Sequence, residues 1–126
     1  MITYLDSADL LLIATSACDG DLVLRDPGLL DAAAHRPKAF VLGAEAYPTL
    51  WLKVAAMLDS IVRTRPLAAG NWRLGWLAAV AMCDLNGWWI DADDDVALNL
   101  VRRVSRGDIE VPEVANCLES WAKPLQ

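Results

Sequence analysis

The sequence predicts an all-α fold, a single-domain six-helix bundle packed around one apolar central helix, with a short flap-like loop. Apolar residues recur every three or four positions along most of the chain, which is the spacing of a helix that buries one face. Gly, Asn, Pro and Asp residues divide these segments with short links. Leu74–Leu85 is apolar on nearly every side, as expected of a helix surrounded by others. We therefore expect residues 1–126 to form one domain.

Capping residues and prolines indicate where the predicted helices begin and end. Ser7 can cap the first helix, because its side chain accepts hydrogen bonds from the free N–H groups of a first turn. Asp26 followed by Pro27 opens the second helix, Pro48 suits the first turn of the third, and Gly107 suits the end of the fifth. The six predicted helices span residues 7–17, 28–35, 48–64, 74–85, 92–106 and 112–121.

One stretch, Val41–Ala46, suits an extended backbone and is predicted to form a short flap or hairpin. The long helix that follows carries an apolar stripe at helical spacing, and this stripe is predicted to face the core. Its members are Leu50, Trp51, Val54, Ala55, Leu58, Ile61 and Val62.

The charge balance argues against nucleic acid as a partner. Acidic residues outnumber basic ones by 17 to 11, which gives a net charge of −6 and a pI near 4.5. Nucleic-acid binding requires a basic face. The compact basic cluster of Arg102, Arg103 and Arg106 falls near a predicted helix end, where cations are favoured in any protein. We predict no nucleic-acid partner.

The sequence also argues against a membrane segment or a zinc site. The apolar run Leu74–Cys83 is far shorter than the roughly 20 residues that span a bilayer, and Asp6 and Asp9 do not suit a signal peptide. The 3 cysteines are widely spaced and only 1 histidine is present, which excludes the usual zinc patterns. We predict a cytoplasmic protein with buried, free thiols and no membrane partner.

The segment Arg65–Arg73, which reads R-P-L-A-A-G-N-W-R, is the strongest functional signal in the chain. It follows one predicted helix and runs directly into the apolar one. Gly70 and Asn71 therefore fall at a helix start, where unpaired N–H groups and the helix dipole favour an anion such as phosphate. The segment contains no His, acid or Lys that could perform chemistry on a bound phosphate.

This segment resembles the motif of the Fic/Doc family, His-Pro-Phe-x-acid-Gly-Asn-Lys/Gly-Arg, which lies between two central helices. The resemblance covers essentially the whole chain and is closer to the short Doc (death-on-curing) toxins than to the larger Fic enzymes. Four further segments are similar to family features in their order and spacing: Asp26–Leu30, Ala46–Leu50, Asn86-Gly87 and Gly107–Val111.

The resemblance implies transfer of a phosphate-containing group from a nucleotide to a protein hydroxyl. Doc toxins use ATP to phosphorylate translation elongation factor Tu, and an antitoxin such as Phd folds a helix into a groove on the toxin. ATP or another nucleotide is thus the implied ligand, an antitoxin-like protein helix the implied partner and a translation factor the implied target. The residues themselves establish no cofactor.

Three motif positions are changed in ways that remove chemistry. Arg65 stands at the His position, and a guanidinium has no acceptor nitrogen, so it cannot act as the base; it either binds phosphate or faces solvent. Ala69 stands at the position of the acid that holds Mg²⁺ in the family, so we expect no Mg²⁺. Trp72 stands at the Lys/Gly position, where the indole either fills the site as packed carbon, the reading we favour, or stacks on a base.

Gly70, Asn71 and Arg73 match the family motif. Together with Trp72, they are predicted to bind phosphate or nucleotide. Gly70 allows close backbone approach, Asn71 can orient the loop or contact phosphate, and Arg73 can pair with a phosphate oxygen. His35 is read as a bystander rather than a relocated base.

Three functions remain open from the sequence. The first is a Doc-like toxin-type protein of a toxin–antitoxin module that has lost or altered its transfer chemistry and acts by binding, as a pseudoenzyme. The second is a divergent active kinase or adenylyltransferase that uses another base. The third is a non-enzymatic acidic interaction module, suggested by 6 Trp residues and by the adjacent Trp88 and Trp89, which cannot both point inward. Such a patch would also suit a homo-oligomer.

Overall fold

The computed structural model describes residues 1–125, and this part of the chain contains six α-helices, as the sequence predicts. They are α1 (Ser7–Ala17), α2 (Pro27–His35), α3 (Leu50–Thr64), α4 (Asn71–Leu85), α5 (Asp94–Ser105) and α6 (Val111–Trp121). A 3-10 turn, Arg36–Lys38, follows α2. Two antiparallel pairs of short strands complete the fold: β1 (Phe40–Val41) with β2 (Ala44–Glu45), and β3 (Trp88–Ile90) with β4 (Ala122–Pro124).

Helices α3 and α4 form the centre of the bundle. α3 packs against α2, α4, α5 and α6, and every residue from Lys53 to Asp59 is buried. Gly75 permits close packing of the two central helices, because a Cβ at this position would lie 2.8 Å from Cγ2 of Val62. The remaining buried core residues come from all six helices and form one cluster.

The caps of two helices differ from those predicted. Asp6, not Ser7, caps α1, because its carboxylate accepts from Asp9 N at 2.8 Å while the Asp9 side chain accepts from Asp6 N at 3.0 Å. Pro48 lies before α3 rather than in its first turn. Thr49 caps that helix instead, since a hydroxyl in extended backbone can accept from the first turn.

The starts of α4 and α5 compare differently with the prediction. α4 begins at Asn71, before the apolar run from Leu74, and the prediction that Gly70 and Asn71 lie at a helix start is confirmed; Gly70, with a left-handed φ of 89°, is the N-cap. α5 begins at Asp94, two residues later than expected, and Asp93 is its N-cap residue. The acidic start, the basic last turn and Gly107 after the helix agree with the prediction.

The predicted flap is present as the β1–β2 hairpin, whereas the β3–β4 pair was not predicted. Residues Trp88–Ile90 pair with Ala122–Pro124 directly after α6. Trp88 packs edge-on against Trp51 with ring centroids 5.4 Å apart, whereas Trp89 is 43% exposed. The expectation that the two adjacent indoles point different ways is confirmed.

No helix within residues 1–125 is long and apolar enough to cross a membrane. The three cysteines are free, as predicted, but only Cys83 is fully buried; Cys18 and Cys117 are partly exposed. Burial raises the pKa of the Cys83 thiol to about 12.

Candidate functional site

The loop between α3 and α4 is held against the segment that precedes α2. Ala68 N donates to Val23 O at 2.9 Å, and the backbone N–H groups of Arg25 and Asp26 both donate to Pro66 O, at 2.8 and 2.9 Å. The side chain of Leu67 is buried beneath the loop. These backbone contacts fix the position of residues 65–70 relative to the rest of the fold.

The side chain of Asn71 is hydrogen-bonded to the backbone of the loop on its buried side. Its Oδ1 accepts from Leu67 N and its Nδ2 donates to Leu67 O, both at 2.9 Å, and the residue is only 6% exposed. One amide side chain thus satisfies both backbone groups of a buried residue. Of the two roles predicted for Asn71, the geometry matches orientation of the loop rather than contact with a ligand.

Gly70 opens the N-terminus of α4 towards a cleft. The helix has no side-chain cap, so its first N–H groups stay available to a ligand. A Cβ at Gly70 would lie 3.0 Å from Sγ of Cys18, which lines the same cleft. The cleft beside this helix start has a volume of about 500 Å³ and includes Gly70, Trp72 and Arg73 in its lining.

Arg73 and Trp72 form the wall of this cleft on α4. Arg73 Nη1 donates to Ala17 O at 2.9 Å, so one corner of the guanidinium binds a carbonyl at the end of α1. Trp72 is 39% exposed and separates the first cleft from a second one of about 510 Å³, which lies between α4 and α5. The indole lines both clefts, and its two predicted roles, packed carbon in the site and stacking on a base, both stay predictions.

Arg65 lies on the other side of the loop. It follows α3 in a left-handed conformation with φ of 53°, and it is exposed. It lines a separate pocket of about 380 Å³ together with Arg25 and Arg63. The structure therefore divides the predicted site residues: Gly70, Trp72 and Arg73 share one cleft, Asn71 lies buried under the loop, and Arg65 faces a different pocket.

Comparison with known proteins shows the family of this chain. Residues 4–83 match the family described as Fic/DOC family. Toxin Doc of Mycolicibacterium smegmatis (strain ATCC 700084 / mc(2)155) is 42% identical over 128 residues, a match that covers 100% of this chain and 98% of that protein. The chain belongs to the Fic/Doc family. Its loop reads R-P-L-A-A-G-N-W-R, and the assignment of Arg65, Ala69 and Trp72 to the His, acid and Lys/Gly positions of the family motif stays a prediction.

The side chains at this Fic/Doc loop do not fit a Mg²⁺ ion. Ala69 offers no side-chain oxygen, and its carbonyl oxygen lies 3.8 Å from Sγ of Cys18. The nearest carboxylates in the cleft lining are those of Asp19 and Asp21. Residues 1–125 contain no group of three or more His, Cys, Asp or Glu side chains arranged to hold a metal ion.

Cys18, Asp19 and Asp21 also line this cleft and were not predicted as site residues. Asp19 and Gly20 follow the end of α1, and both have positive φ. What placed them beside Gly70 is the packing of α1 against α4. No pattern within the sequence links these distant segments.

Two titratable residues outside the motif, His35 and Asp59, lie away from the loop. His35 is exposed at the end of α2, where its Nδ1 lies 2.9 Å from Asp31 O. Asp59 is buried and accepts from Arg36 Nη1 at 2.7 Å. Burial works to lower the pKa of Arg36, but hydrogen bonds with Asp59 and Tyr47 outweigh it and raise that pKa above its ordinary value. Neither residue lines the clefts beside the loop.

Proposed function

We propose that this Fic/Doc protein is the toxin component of a toxin–antitoxin module, that its loop binds the phosphate groups of a nucleotide, and that transfer to a protein hydroxyl has been lost. The observation that carries the proposal is the separation of Arg65 from the cleft that holds Gly70, Trp72 and Arg73. The phosphate-binding part of the motif is thus kept, while the reactive part is replaced.

The cleft has the chemistry to bind phosphate. Uncapped N–H groups at the start of α4 supply donors, and the positive end of the helix dipole lies beside them. Arg73 uses one of its five N–H donors on Ala17 O, which leaves the others for phosphate oxygens. The indole of Trp72 offers an exposed face on which a nucleotide base can stack.

The same cleft lacks the means for transfer. A base must accept the proton of the target hydroxyl, and the Arg65 guanidinium has no lone pair for it. Ala69 provides no ligand for the ion that would neutralise charge on the transferred group. The bound phosphate would therefore be held without being activated.

A second candidate is a transferase that uses another base. It is favoured by Asp19 and Asp21, which line the cleft beside Gly70 and carry carboxylates that could accept a proton. Both are exposed to solvent. An active enzyme of this kind would be a kinase or an adenylyltransferase, as the family resemblance implies.

The partners follow from the family and from the name of the relative. Because Toxin Doc is similar over its whole length, we propose an antitoxin-like protein as the partner of this chain. A translation factor stays a predicted target, because it follows from the family resemblance alone. Co-purification with the product of a neighbouring gene, when the two are expressed together, would test the first proposal; migration as separate species would contradict it.

A label-transfer assay tests the loss of chemistry. The purified protein is incubated with bacterial extract and ATP labelled on the α or the γ phosphate, and we expect no labelled protein. A variant that combines Arg65→His, Ala69→Glu and Trp72→Lys restores the family pattern in the same scaffold and serves as the matched control. Label transfer by the unaltered chain, abolished by Asp19→Asn or Asp21→Asn, would establish the second candidate instead.

A calorimetric titration with ATP, with and without Mg²⁺, tests the binding step. We expect binding that does not require Mg²⁺ and that weakens by about tenfold or more in Arg73→Ala, since a charge-assisted hydrogen bond is lost. Arg102→Ala, whose guanidinium bonds Asn99 on its own helix, is the charge-matched control. Absence of any heat with ATP would contradict the nucleotide proposal and leave an interaction scaffold.

A further inference from the structure

A pocket at the end of α3 is lined by three arginines. Arg25, Arg63 and Arg65 surround it together with Thr64, Leu67 and Ala68, and its volume is about 380 Å³. The lining contains no acidic side chain. The protein as a whole has a net charge of −6, so the positive charge of this pocket is a local feature.

Arg25 is fixed in place by the backbone that it covers. Its Nε donates to Arg65 O at 2.7 Å, and its Nη2 donates to Thr64 O at 2.6 Å. These are C-terminal carbonyl groups of α3, whose partial negative charge would otherwise repel an anion. Two of the five N–H donors of Arg25 are used in this way, so the remainder stay available at the pocket.

Arg63 is oriented from the opposite side. Its Nη1 lies 3.6 Å from Asp59 Oδ1 and 3.8 Å from Glu110 Oε2, so both acids attract the guanidinium from beyond hydrogen-bonding distance. Its Nη2 lies 3.1 Å from the place that a Cβ at Gly107 would occupy. The closeness of Gly107 limits the space open to the Arg63 side chain. Within residues 1–125, no short hydrogen bond occupies the N–H donors of Arg63.

Arg65 supplies the third guanidinium from an unusual backbone position. Its φ of 53° is a left-handed conformation that residues with a Cβ adopt at a cost, so glycine would be the favoured residue after a helix. Within residues 1–125, its side chain forms no hydrogen bond or ion pair. Its backbone N–H donates to Ile61 O at 3.1 Å, and its carbonyl accepts from Arg25 Nε. The fold thus tolerates a strained residue whose charge serves no structural contact.

We propose that Arg25, Arg63 and Arg65 form a binding site for a phosphate monoester, separate from the cleft at the start of α4. A phosphate dianion accepts hydrogen bonds along several directions, which suits guanidinium groups that approach from different segments. A carboxylate would be satisfied by one bidentate arginine. The loop from Pro66 to Gly70 lies between this site and the cleft, and Ala68 lines both.

The test is a nuclear magnetic resonance titration of the ¹⁵N-labelled chain with inorganic phosphate. We expect the Nε–H signals of Arg25, Arg63 and Arg65 to shift together along one saturating curve. The backbone amides of Gly70 and Trp72 report separately on the cleft at α4, so failure of that nucleotide site would be seen independently. Shifts confined to those amides, with the three arginine signals unmoved, would overturn the proposal.

Arg65→Gln is the decisive variant, because its side chain supports no other contact and the fold should be unaffected. We expect it to weaken phosphate binding at the arginine pocket by about tenfold or more while the shifts at Gly70 persist. Arg102→Gln removes the same charge from another helix and is the matched control. Equal weakening by both variants would mean a diffuse charge effect and would refute a site.

Two further titrations distinguish the source of the phosphate group. Adenosine 5′-monophosphate represents a small-molecule ester, and free O-phosphoserine represents a phosphorylated side chain. Saturation of the Arg65 Nε–H shift by either compound at a lower concentration than inorganic phosphate supports an ester ligand and identifies its source. Weaker binding of both esters than of inorganic phosphate would overturn the assignment to a monoester.

Discussion

Two clusters of positive charge lie along α3, and they are built in opposite ways. Near its start, Lys53 is 2% exposed and fully engaged, whereas Arg63 and Arg65 at its end face a pocket open to solvent. The first cluster supports the flap, whereas in the second only Arg25 forms short hydrogen bonds, to the last carbonyl groups of α3. The difference separates charges that stabilise the structure from charges that are available to a ligand.

The buried cluster joins α3 to the base of the flap. Lys53 Nζ donates to Tyr47 O at 2.6 Å and to Glu45 Oε1 at 2.9 Å, and lies 3.5 Å from Pro37 O. Arg36 donates to Tyr47 Oη at 3.0 Å as well as to Asp59. Lys53 and Asp59 are buried, so removal of either one leaves partner groups without a hydrogen bond, whereas Glu45 and Arg36 are partly open to water.

The largest effect is expected from Lys53→Met. The substitution keeps the length of the side chain but leaves buried carbonyl groups unpaired, so unfolding in urea should show a loss of about 3 kcal/mol. Lys38→Met changes an exposed lysine of the same segment and should cost about 0.5 kcal/mol or less. Equal losses of unfolding free energy in the two variants would contradict a structural role for the buried lysine.

Asn71→Ala should have the next largest effect. It leaves the buried N–H and C=O groups of Leu67 without partners, which should cost about 2 kcal/mol in urea unfolding. It should also weaken ATP binding, because the loop before Gly70 loses its support. Asn116→Ala, at an exposed position of α6, is the control and should change neither quantity. A stable Asn71→Ala protein would show that the amide serves the ligand rather than the loop.

Arg65→Gly should change stability and phosphate binding in opposite directions. Relief of the left-handed strain should raise the free energy of unfolding by about 0.5 kcal/mol, while phosphate binding at the arginine pocket falls. Leu42 has a similar φ of 52° at the tip of the flap and is exposed, so Leu42→Gly is the matched control. It should stabilise the protein to a comparable degree with no change in phosphate binding. Destabilisation by Arg65→Gly would mean that the arginine has a structural role.

The smallest effect concerns Cys83. Its thiol has a pKa raised from 9.0 to about 12, so the folded protein holds its proton more tightly than the unfolded chain does. Its contribution to stability is therefore complete below pH 9 and declines as the pH rises towards 12. Thiol titration at pH 8 should modify the half-exposed Cys18 and Cys117 and leave Cys83 unreacted until denaturant is added. Rapid modification of all three in the native protein would contradict burial as the cause.

The sequence predicts those parts of the fold that depend on local signals. The Asp26-Pro27 start, the Asn86-Gly87 end and the apolar stripe of α3 each rest on neighbouring residues, and the structure agrees with them. The β3–β4 pair was not predicted, because three residues are too few to show strand alternation and their partners lie more than 30 positions away.

The candidate site was predicted less completely, because its geometry depends on contacts between distant segments. The motif located Gly70 and Arg73, but nothing local indicates that Arg73 binds the last turn of α1, 56 positions earlier. Likewise Arg25 and Arg63 carry no motif, and only the folded chain places them beside Arg65. Spacing along a sequence identifies residue types, whereas their shared orientation requires the packed structure.

Trp72 lines two clefts, so its intrinsic fluorescence can report the binding of a ligand in either one. An indole that is 39% exposed changes its emission when a ligand displaces the surrounding water, and both clefts include this ring in their lining. Trp89 is the other strongly exposed indole among residues 1–125, so Trp89→Phe would leave Trp72 as the most exposed emitting indole there. Occupancy of either cleft by a nucleotide or by a partner helix would then be read directly from intrinsic fluorescence, without a label.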